Sequence, residues 1–325
     1  MEIALNGRVM ERTNFKWEMG VNFTRNRNLV KDVLGAEFVG IAGGFGASAA
    51  VAGQPLGTFY QTDFVRCRYD VADATNIQPG SGVPGDDINA YCRSVKAPNG
   101  ALFIQGGTGS GAGFPLYDPQ NRNTGDPNAN YLLGLRNNIT LYKKLTLSAL
   151  VDIRNGAQNW NGTRGALQSF GRSLSTLKNG RATFTGTGQY GYTGGIRTFG
   201  TDIFKGDVTG PGAGTAVPVG QNWWRDGIGG GVFAGPGGQL VDNGAFTRIR
   251  EISAAYSFDN PWVKKSLGLS SVDVRVSGRN LKVFTDYDGV DPETNLYGGT
   301  GIGRGIDYFN NPQSRSWAIN VTLNR

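Results

Sequence analysis

The sequence predicts an all-β fold built from long antiparallel strands of the kind that cross a membrane as part of a β-barrel. Valines at every second position of 272–276 alternate with polar residues, and large apolar residues at every second position of 317–323 do the same. This period of two gives each segment one apolar and one polar face, which is the pattern of a β-strand. Both segments approach the roughly 9 to 11 residues of a membrane-spanning strand, whereas strands of soluble sandwiches are commonly about 5 to 6 residues long.

The composition agrees with strands rather than helices as the membrane-crossing elements. Glycine accounts for 52 of the 325 residues, which indicates many turns and long loops. The chain contains no apolar run near the ~18 residues that a membrane-spanning helix requires. Any crossing must therefore use strands, in which the apolar residues occupy only every second position.

Five further segments show strand periodicity, so that seven strands are predicted in all. The first hairpin combines residues 2–9 with 15–23, and the second combines 131–141 with 145–153. The fifth strand covers 246–258, where Ile249 breaks the alternation and predicts a bulge or a strand end that projects beyond the bilayer.

Short and long connections alternate along the chain. The short ones are 11–14, 142–144 and 259–270, and the long ones are the loop regions 26–130, 155–245 and 282–313. Outer-membrane barrels have short periplasmic turns and longer extracellular loops. Because ordinary bacterial barrels have an even number of strands from 8 upward, seven strands predict an incomplete barrel, with residues 1–325 as its C-terminal third and no plug domain.

Three segments carry a resemblance to a known family. They are NFKWEMGVNFTRNRN from Asn14, FTRIREISAAYSF from Phe246, and VSGRNLKVFTDYDGVDPE from Val276. They resemble the C-terminal barrel of TonB-dependent outer-membrane transporters of the SusC/RagA type. One departure is Arg325, because such barrels usually end in an aromatic residue.

The resemblance implies a function, a location and partners. It implies the barrel wall of an importer for large nutrients, such as oligosaccharides or peptides, in the bacterial outer membrane. It also implies contact with outer-membrane lipid, a SusD-like surface lipoprotein, and the TonB complex acting through a plug domain. Two alternatives remain open: a complete small porin or adhesin barrel, and a soluble extracellular carbohydrate-binding β-sandwich.

Enzymes, cofactors and nucleic acid are not expected. Histidine is absent, which excludes a Ser-His-Asp triad and removes the commonest zinc ligand and general base. The net charge of +7 comes from scattered basic residues rather than a clustered nucleic-acid footprint. The glycine-rich run 106–114 lacks the Gly-Lys-Ser/Thr of a phosphate-binding loop. We therefore predict no cofactor, no metal and no nucleic-acid partner.

The strand parity predicts which side chains face the lumen and which face lipid. The predicted lumen-facing residues are Glu18, Arg136, Asp152, Arg275 and Arg279. The predicted lipid-facing residues are Trp17, Met19, Val21, Leu147, Val151, Val274 and Ile319.

Tryptophans and cysteines in the long loops are further candidates. Trp160, Trp223 and Trp224 could stack on sugar rings of a ligand or pack inside the loops, and we favour packing. In an exported protein Cys67 and Cys92 would form one disulfide, with two free thiols as the alternative.

Four acidic residues cluster in the last loop: Asp286, Asp288, Asp291 and Glu293. Their carboxylate oxygens could ligate calcium, but the spacing departs from an EF-hand loop. We therefore expect solvated loop carboxylates.

Overall fold

Seven long strands form one sheet in the computed structural model, which describes residues 1–41, 47–68, 77–78, 81–177, 195–203, 206–225, 227–230, 235–298 and 303–325. The strands are β1 (Glu2–Arg12), β2 (Phe15–Thr24), β3 (Ala129–Leu141), β4 (Leu145–Gly156), β5 (Phe246–Phe258), β6 (Ser271–Phe284) and β7 (Ser316–Asn324). Each strand pairs antiparallel with the next in chain order. The sheet is open, and β1 and β7 are its edges within the described part of the chain.

The pairing register gives the sheet one apolar and one polar face. Residues directly opposite each other in antiparallel strands point to the same side. One such row across the sheet is largely apolar and consists of Met10, Trp17, Ile139, Leu147, Ala254, Val276 and Ile319. A neighbouring row on the other face is largely polar and consists of Arg8, Glu18, Asn138, Ser148, Ser253, Ser277 and Ala318.

The long connections fold into a compact cap of short elements, which sequence periodicity did not predict in full. One small sheet combines Val39–Gly40, Ser48–Ala50, Thr58–Phe64 and Tyr117–Gly125; another combines Val241–Asn243, Gln158–Asn161 and Ile306–Asp307. Two-stranded pairs join Ile196–Thr198 to Ala216–Pro218 and Val208–Thr209 to Leu102–Phe103.

Helices in the connections are short. The α-helices are Ile88–Ser94, Gly162–Ser169 and Gln221–Trp224, and a π-helical turn, Val263–Leu267, lies between β5 and β6. The 3-10 turns are Pro84–Asp86, Leu174–Thr176, Ile228–Gly230 and Gly237–Leu240. No helix among the described residues has both the length and the apolar character needed to cross a membrane.

The buried apolar clusters lie within the cap rather than against the seven-stranded sheet. One contains Phe64, Phe199 and Trp223, and another contains Phe59, Trp160 and Leu240. The third surrounds a disulfide between Cys67 and Cys92, whose Cα atoms lie 5.8 Å apart. The cap therefore has its own cores, whereas the apolar face of the sheet contributes to none of the three.

Asn280, in the run Ser277–Leu281, combines an unusual backbone conformation with a hydrogen bond to the facing strand. Its backbone is left-handed with φ of +51°, a region that asparagine tolerates better than most residues. On the facing strand β5 the register shifts between Ile249 and Glu251, so the break in alternation at Ile249 is a bulge. The bulge places Arg250 on the polar face, where its Nη1 donates to the Asn280 side-chain oxygen at 3.2 Å.

Gly278 in the same run lies under an indole ring. Gly278 pairs with Trp317 of the edge strand β7, and a Cβ atom at residue 278 would come within 2.7 Å of that ring. The absence of a side chain at residue 278 leaves room for the indole on the neighbouring strand, which is how an aromatic residue compensates for a glycine in a sheet.

We predict that Gly278→Val lowers the free energy of unfolding by about 1–3 kcal/mol, because the added side chain displaces the Trp317 ring. Gly7→Val is the matched control, since Gly7 is on the same face and a Cβ there meets nothing within 4 Å. Urea titration of both variants measures the difference. Equal losses for the two variants would contradict the packing role of Gly278.

Candidate functional site

The five residues predicted to face the lumen all lie on the polar face of the sheet, but they do not form one cluster. Asp152 accepts from Arg250 Nε at 2.7 Å. Glu18 lies 2.8 Å from Lys16 Nζ. Arg275 and Arg279 both approach Glu251, at 3.8 and 3.2 Å. Arg136 lies opposite Gly20 and Leu150, on the same side.

The strongest electrostatic feature of this face is a buried arginine that sequence analysis did not single out. The side chain of Arg248 is only 4% exposed and its Nη2 donates to Asp291 Oδ1 at 2.6 Å. Its Nε lies 2.7 Å from Glu293 Oε2. A buried guanidinium needs such partners because the charge has lost its hydration.

Arg250 extends this network from the strands to the last loop. Its Nη2 donates to Glu293 Oε1 at 2.8 Å, and its Nη1 donates to Gln313 Oε1 at 3.0 Å. Together with its bond to Asp152, these contacts join β4, β5 and the connection between β6 and β7. We call Asp152, Arg248, Arg250, Asp291 and Glu293 the wall–loop network.

Neighbouring groups fix the backbone around the network. Arg154 Nη2 and the Asn159 amide both donate to the Pro292 carbonyl, each at 2.7 Å. The Arg154 and Arg248 guanidinium groups lie 5.0 and 5.7 Å from the centre of the Phe246 ring. Such cation–π contacts add attraction where the cations are poorly hydrated.

The expectation that Asp291 and Glu293 are solvated loop carboxylates is wrong. Asp291 is buried, and both carboxylates pair with arginines of β5. In T-R-I-R the two arginines are two residues apart, a spacing that puts both side chains on one face of a strand. Their acidic partners lie 43 residues away, so spacing alone could not connect them. Asp286 and Asp288, in contrast, remain exposed.

A large cavity lies between the three long connections. Its volume is about 1110 Å³ and its lining includes both arginines and aspartates. The charged lining residues are Asp63, Arg66, Arg68, Arg164, Arg172, Asp202, Asp207, Asp242, Asp286 and Asp288. The volume is that of a ligand site rather than a packing defect. We call this space the loop cavity.

The tryptophans proposed as ligand contacts do not offer open ring faces. Trp160, Trp223 and Trp224 are all buried, with Trp224 only 1% exposed, and they pack in the apolar clusters of the cap. Phe114 and Phe199 pack against Trp223, with ring centres 5.2 Å away in each case. All three rings thus pack inside the loops, the alternative that the sequence analysis favoured. Tyr190, Tyr192 and Phe233, which belong to the same loop region, lie outside the described residues.

A buried hydrogen-bonded group supports one side of the loop cavity. Tyr287 donates to Asp307 Oδ2 at 2.7 Å, and the Thr163 hydroxyl donates to the other oxygen of that carboxylate at 2.9 Å. Burial, followed by the Asp307 charge, raises the pKa of Tyr287 well above its ordinary value, so the phenol remains a donor. These bonds hold Tyr287 between the cavity-lining Asp286 and Asp288. Among the described residues, no group of three or more potential ligands could hold a metal ion.

Comparison with known proteins shows similarity along the whole chain. No protein-family model matches. The chain is 24% identical over 333 residues to TonB-dependent receptor P3 of Formosa agariphila, an alignment covering 99% of this chain and 28% of the receptor. The predicted resemblance to a TonB-dependent receptor is therefore confirmed, and the chain spans about 28% of the length of that relative.

Solved structures show the same fold. The structure of the RagAB peptide transporter superposes with a TM-score of 0.57 at 16% identity, covering 99% of this chain and 28% of that chain. The "closed-closed" and "open-open" states of the RagAB peptide importer each give a TM-score of 0.58 at 15% identity, covering 99% and 100% of this chain and 29% and 28% of the respective importer chains. The open antiparallel sheet and its cap thus match part of a SusC/RagA-type transporter.

We predict that Asp291→Asn destabilises the protein by about 3–5 kcal/mol, because it leaves the buried Arg248 charge with one carboxylate fewer. Urea titration of the variant and of the native protein measures the loss, and limited proteolysis detects release of the loop that carries Asp291. The control is Asp259→Asn, which removes an exposed ion pair with Lys144 and should leave stability unchanged. Similar behaviour of both variants would refute a special role for the buried pair.

Proposed function

We propose that this chain forms seven consecutive strands in the wall of a bacterial outer-membrane β-barrel that imports large nutrients. The observation that supports this proposal most directly is the apolar face, which continues across all seven strands and is covered by no other element in the described part of the chain. The strands contain between 9 and 14 residues, enough to span a bilayer at the usual tilt.

The exposure of large apolar side chains supports lipid as the neighbour of this face. Ile319 is 71% exposed and Trp317 is 69% exposed, and Leu5, Leu147, Ile252 and Val276 on the same face are also exposed. An apolar surface of this breadth is unusual on a soluble monomer, where patches of more than a few hundred Å² mark interaction sites. Lipid covers such a face without any further protein element.

A soluble sandwich fits the structure less well. In a sandwich, a second sheet packs about 10 Å away and buries the apolar face. Here the described small sheets belong to the cap, and the three buried clusters consist of cap residues. The remaining alternative, a complete small porin or adhesin, would need the edges β1 and β7 to meet, and these edges are unpaired in the described sheet.

The connections also support an outer-membrane orientation. β1–β2, β3–β4 and β5–β6 are joined at one end by short turns, while the folded cap lies at the other end. In outer-membrane barrels the longer loops are extracellular. The cap and its loop cavity then meet external nutrients, and the short turns lie in the periplasm.

The similarity to TonB-dependent receptors supports a proposal about the energy source and the partners of transport. We propose that the whole protein is driven by the TonB complex and cooperates with a SusD-like surface lipoprotein. The curated relative is described as a receptor and the solved neighbours as transporters, which supports transport rather than an enzymatic activity.

We predict that Leu135→Arg destabilises the lipid-embedded protein by about 2–4 kcal/mol, because residue 135 lies midway along β3 on the proposed lipid face. The control on the same strand is Asn138→Arg, which lies on the polar face opposite Glu18 and should have little effect. Urea titration in vesicles measures both. A greater loss for Asn138→Arg would reverse the assignment of the two faces and overturn the proposal.

A further inference from the structure

The arginines that line the loop cavity are paired within the protein, whereas some of its aspartates are not. Arg66 pairs with Asp63 at 3.0 Å and Arg164 pairs with Asp242 at 2.9 Å. Arg68 and Arg172 also interact with other groups, so neither is free. Each of the four lining arginines therefore has a partner before any ligand arrives, although Arg164 Nε itself is a buried donor without one among the described residues.

Several aspartates of the lining, in contrast, remain available. Asp207, Asp286 and Asp288 are exposed and line the cavity. Within the described ranges, the carboxylates of these three aspartates make no hydrogen bond or ion pair. The nearby Asp291 and Glu293, in contrast, form ion pairs with Arg248 and Arg250. The available charge in the cavity is therefore negative, although the chain as a whole carries +7.

The backbone that carries two of these carboxylates is held in place. Asn161 Nδ2 donates to the Asp288 carbonyl at 3.1 Å, and the Tyr287 amide donates to Thr285 Oγ1 at 3.1 Å. The side chain of Tyr287 is fixed by Asp307, as described above. Asp286 and Asp288 thus need little ordering when a cation binds, and preorganisation of this kind favours affinity.

Buried polar atoms around the cavity provide an independent indication of a ligand. Asp63 Oδ1 and Gln239 Oε1 are buried acceptors without a hydrogen-bond partner among the described residues. Trp224 Nε1 is a buried donor that also lacks a partner there. All three residues line the cavity. Unsatisfied buried polar groups are rare, and a peptide backbone supplies both the N–H donors and the carbonyl acceptors that they lack.

The lining offers little to a sugar ring. Trp224 is the one aromatic residue among the described lining residues, and its ring is buried. A neutral oligosaccharide would meet carboxylates without the open aromatic face that commonly supports it, whereas a lysine or arginine side chain would meet opposite charge.

We propose that the loop cavity binds a basic oligopeptide, with Asp286 and Asp288 as the specificity-determining carboxylates. This inference rests on the proposed import function and names its substrate class. The ammonium or guanidinium groups of the peptide pair with the free carboxylates, while its backbone bonds to the polar lining.

The test measures binding to the native protein purified in detergent from its own cells. The probes are a fluorescent pentapeptide with three lysines, the same peptide with three glutamates, and fluorescent maltoheptaose. The lysine peptide should bind most tightly, and raised salt should weaken it. The double variant Asp286→Asn with Asp288→Asn should bind the lysine peptide about three- to tenfold more weakly, as expected for two partly exposed ion pairs.

The control variant is Asp273→Asn, which makes the same chemical change near the β5–β6 turn, at the opposite end of the sheet. It should bind the lysine peptide like the native protein. Preferred binding of the glutamate peptide or of maltoheptaose would overturn the inference, as would unchanged lysine-peptide binding by the double variant. Either result would leave the membrane role intact, because the arginine substitution at residue 135 tests that role without any ligand.

Discussion

The buried ion pairs between Arg248 and the carboxylates of Asp291 and Glu293 join the sheet to its loops. Separating them would leave a guanidinium that is 4% exposed without sufficient countercharge, an arrangement that costs several kcal/mol. The loop after β6 must therefore remain against β5. Arg154 and Asn159 then hold the Pro292 carbonyl, which ties the second long connection to the same point. The position of the loop cavity depends on this attachment.

The second constraint is the division of the sheet into two faces. In a strand with a period of two, side chains keep to their faces unless a bulge shifts the alternation. The bulge in β5 lets Arg250 lie on the polar face, where it donates to Asp152 and Glu293. Among the residues that the structure describes, the apolar face carries no comparable polar cluster; its Asn137 accepts a bond from the Trp17 indole at 3.3 Å. One face is thus suited to hydrocarbon, and the other carries the ion pairs that hold the loops.

Local sequence patterns predicted the sheet well and the cap poorly. The alternation at 246–258 predicted β5 with the bounds that the structure has, and the break at Ile249 marked its bulge. The cap depends on contacts between distant residues, such as Tyr287 with Asp307 and Arg248 with Asp291, which periodicity cannot reveal. For the same reason periodicity does not reveal that Asp291 is buried against Arg248.

The central claim is that the apolar face of the sheet lies against lipid. Photoactivatable phospholipids with the reactive group in the acyl chain test it directly in the native membrane, with adducts located by mass spectrometry. The account predicts adducts at Trp17, Val21, Leu135 and Val276, and none at Glu18 or Arg136 on the opposite face. Adducts on both faces alike, or concentrated on the polar face, would contradict it.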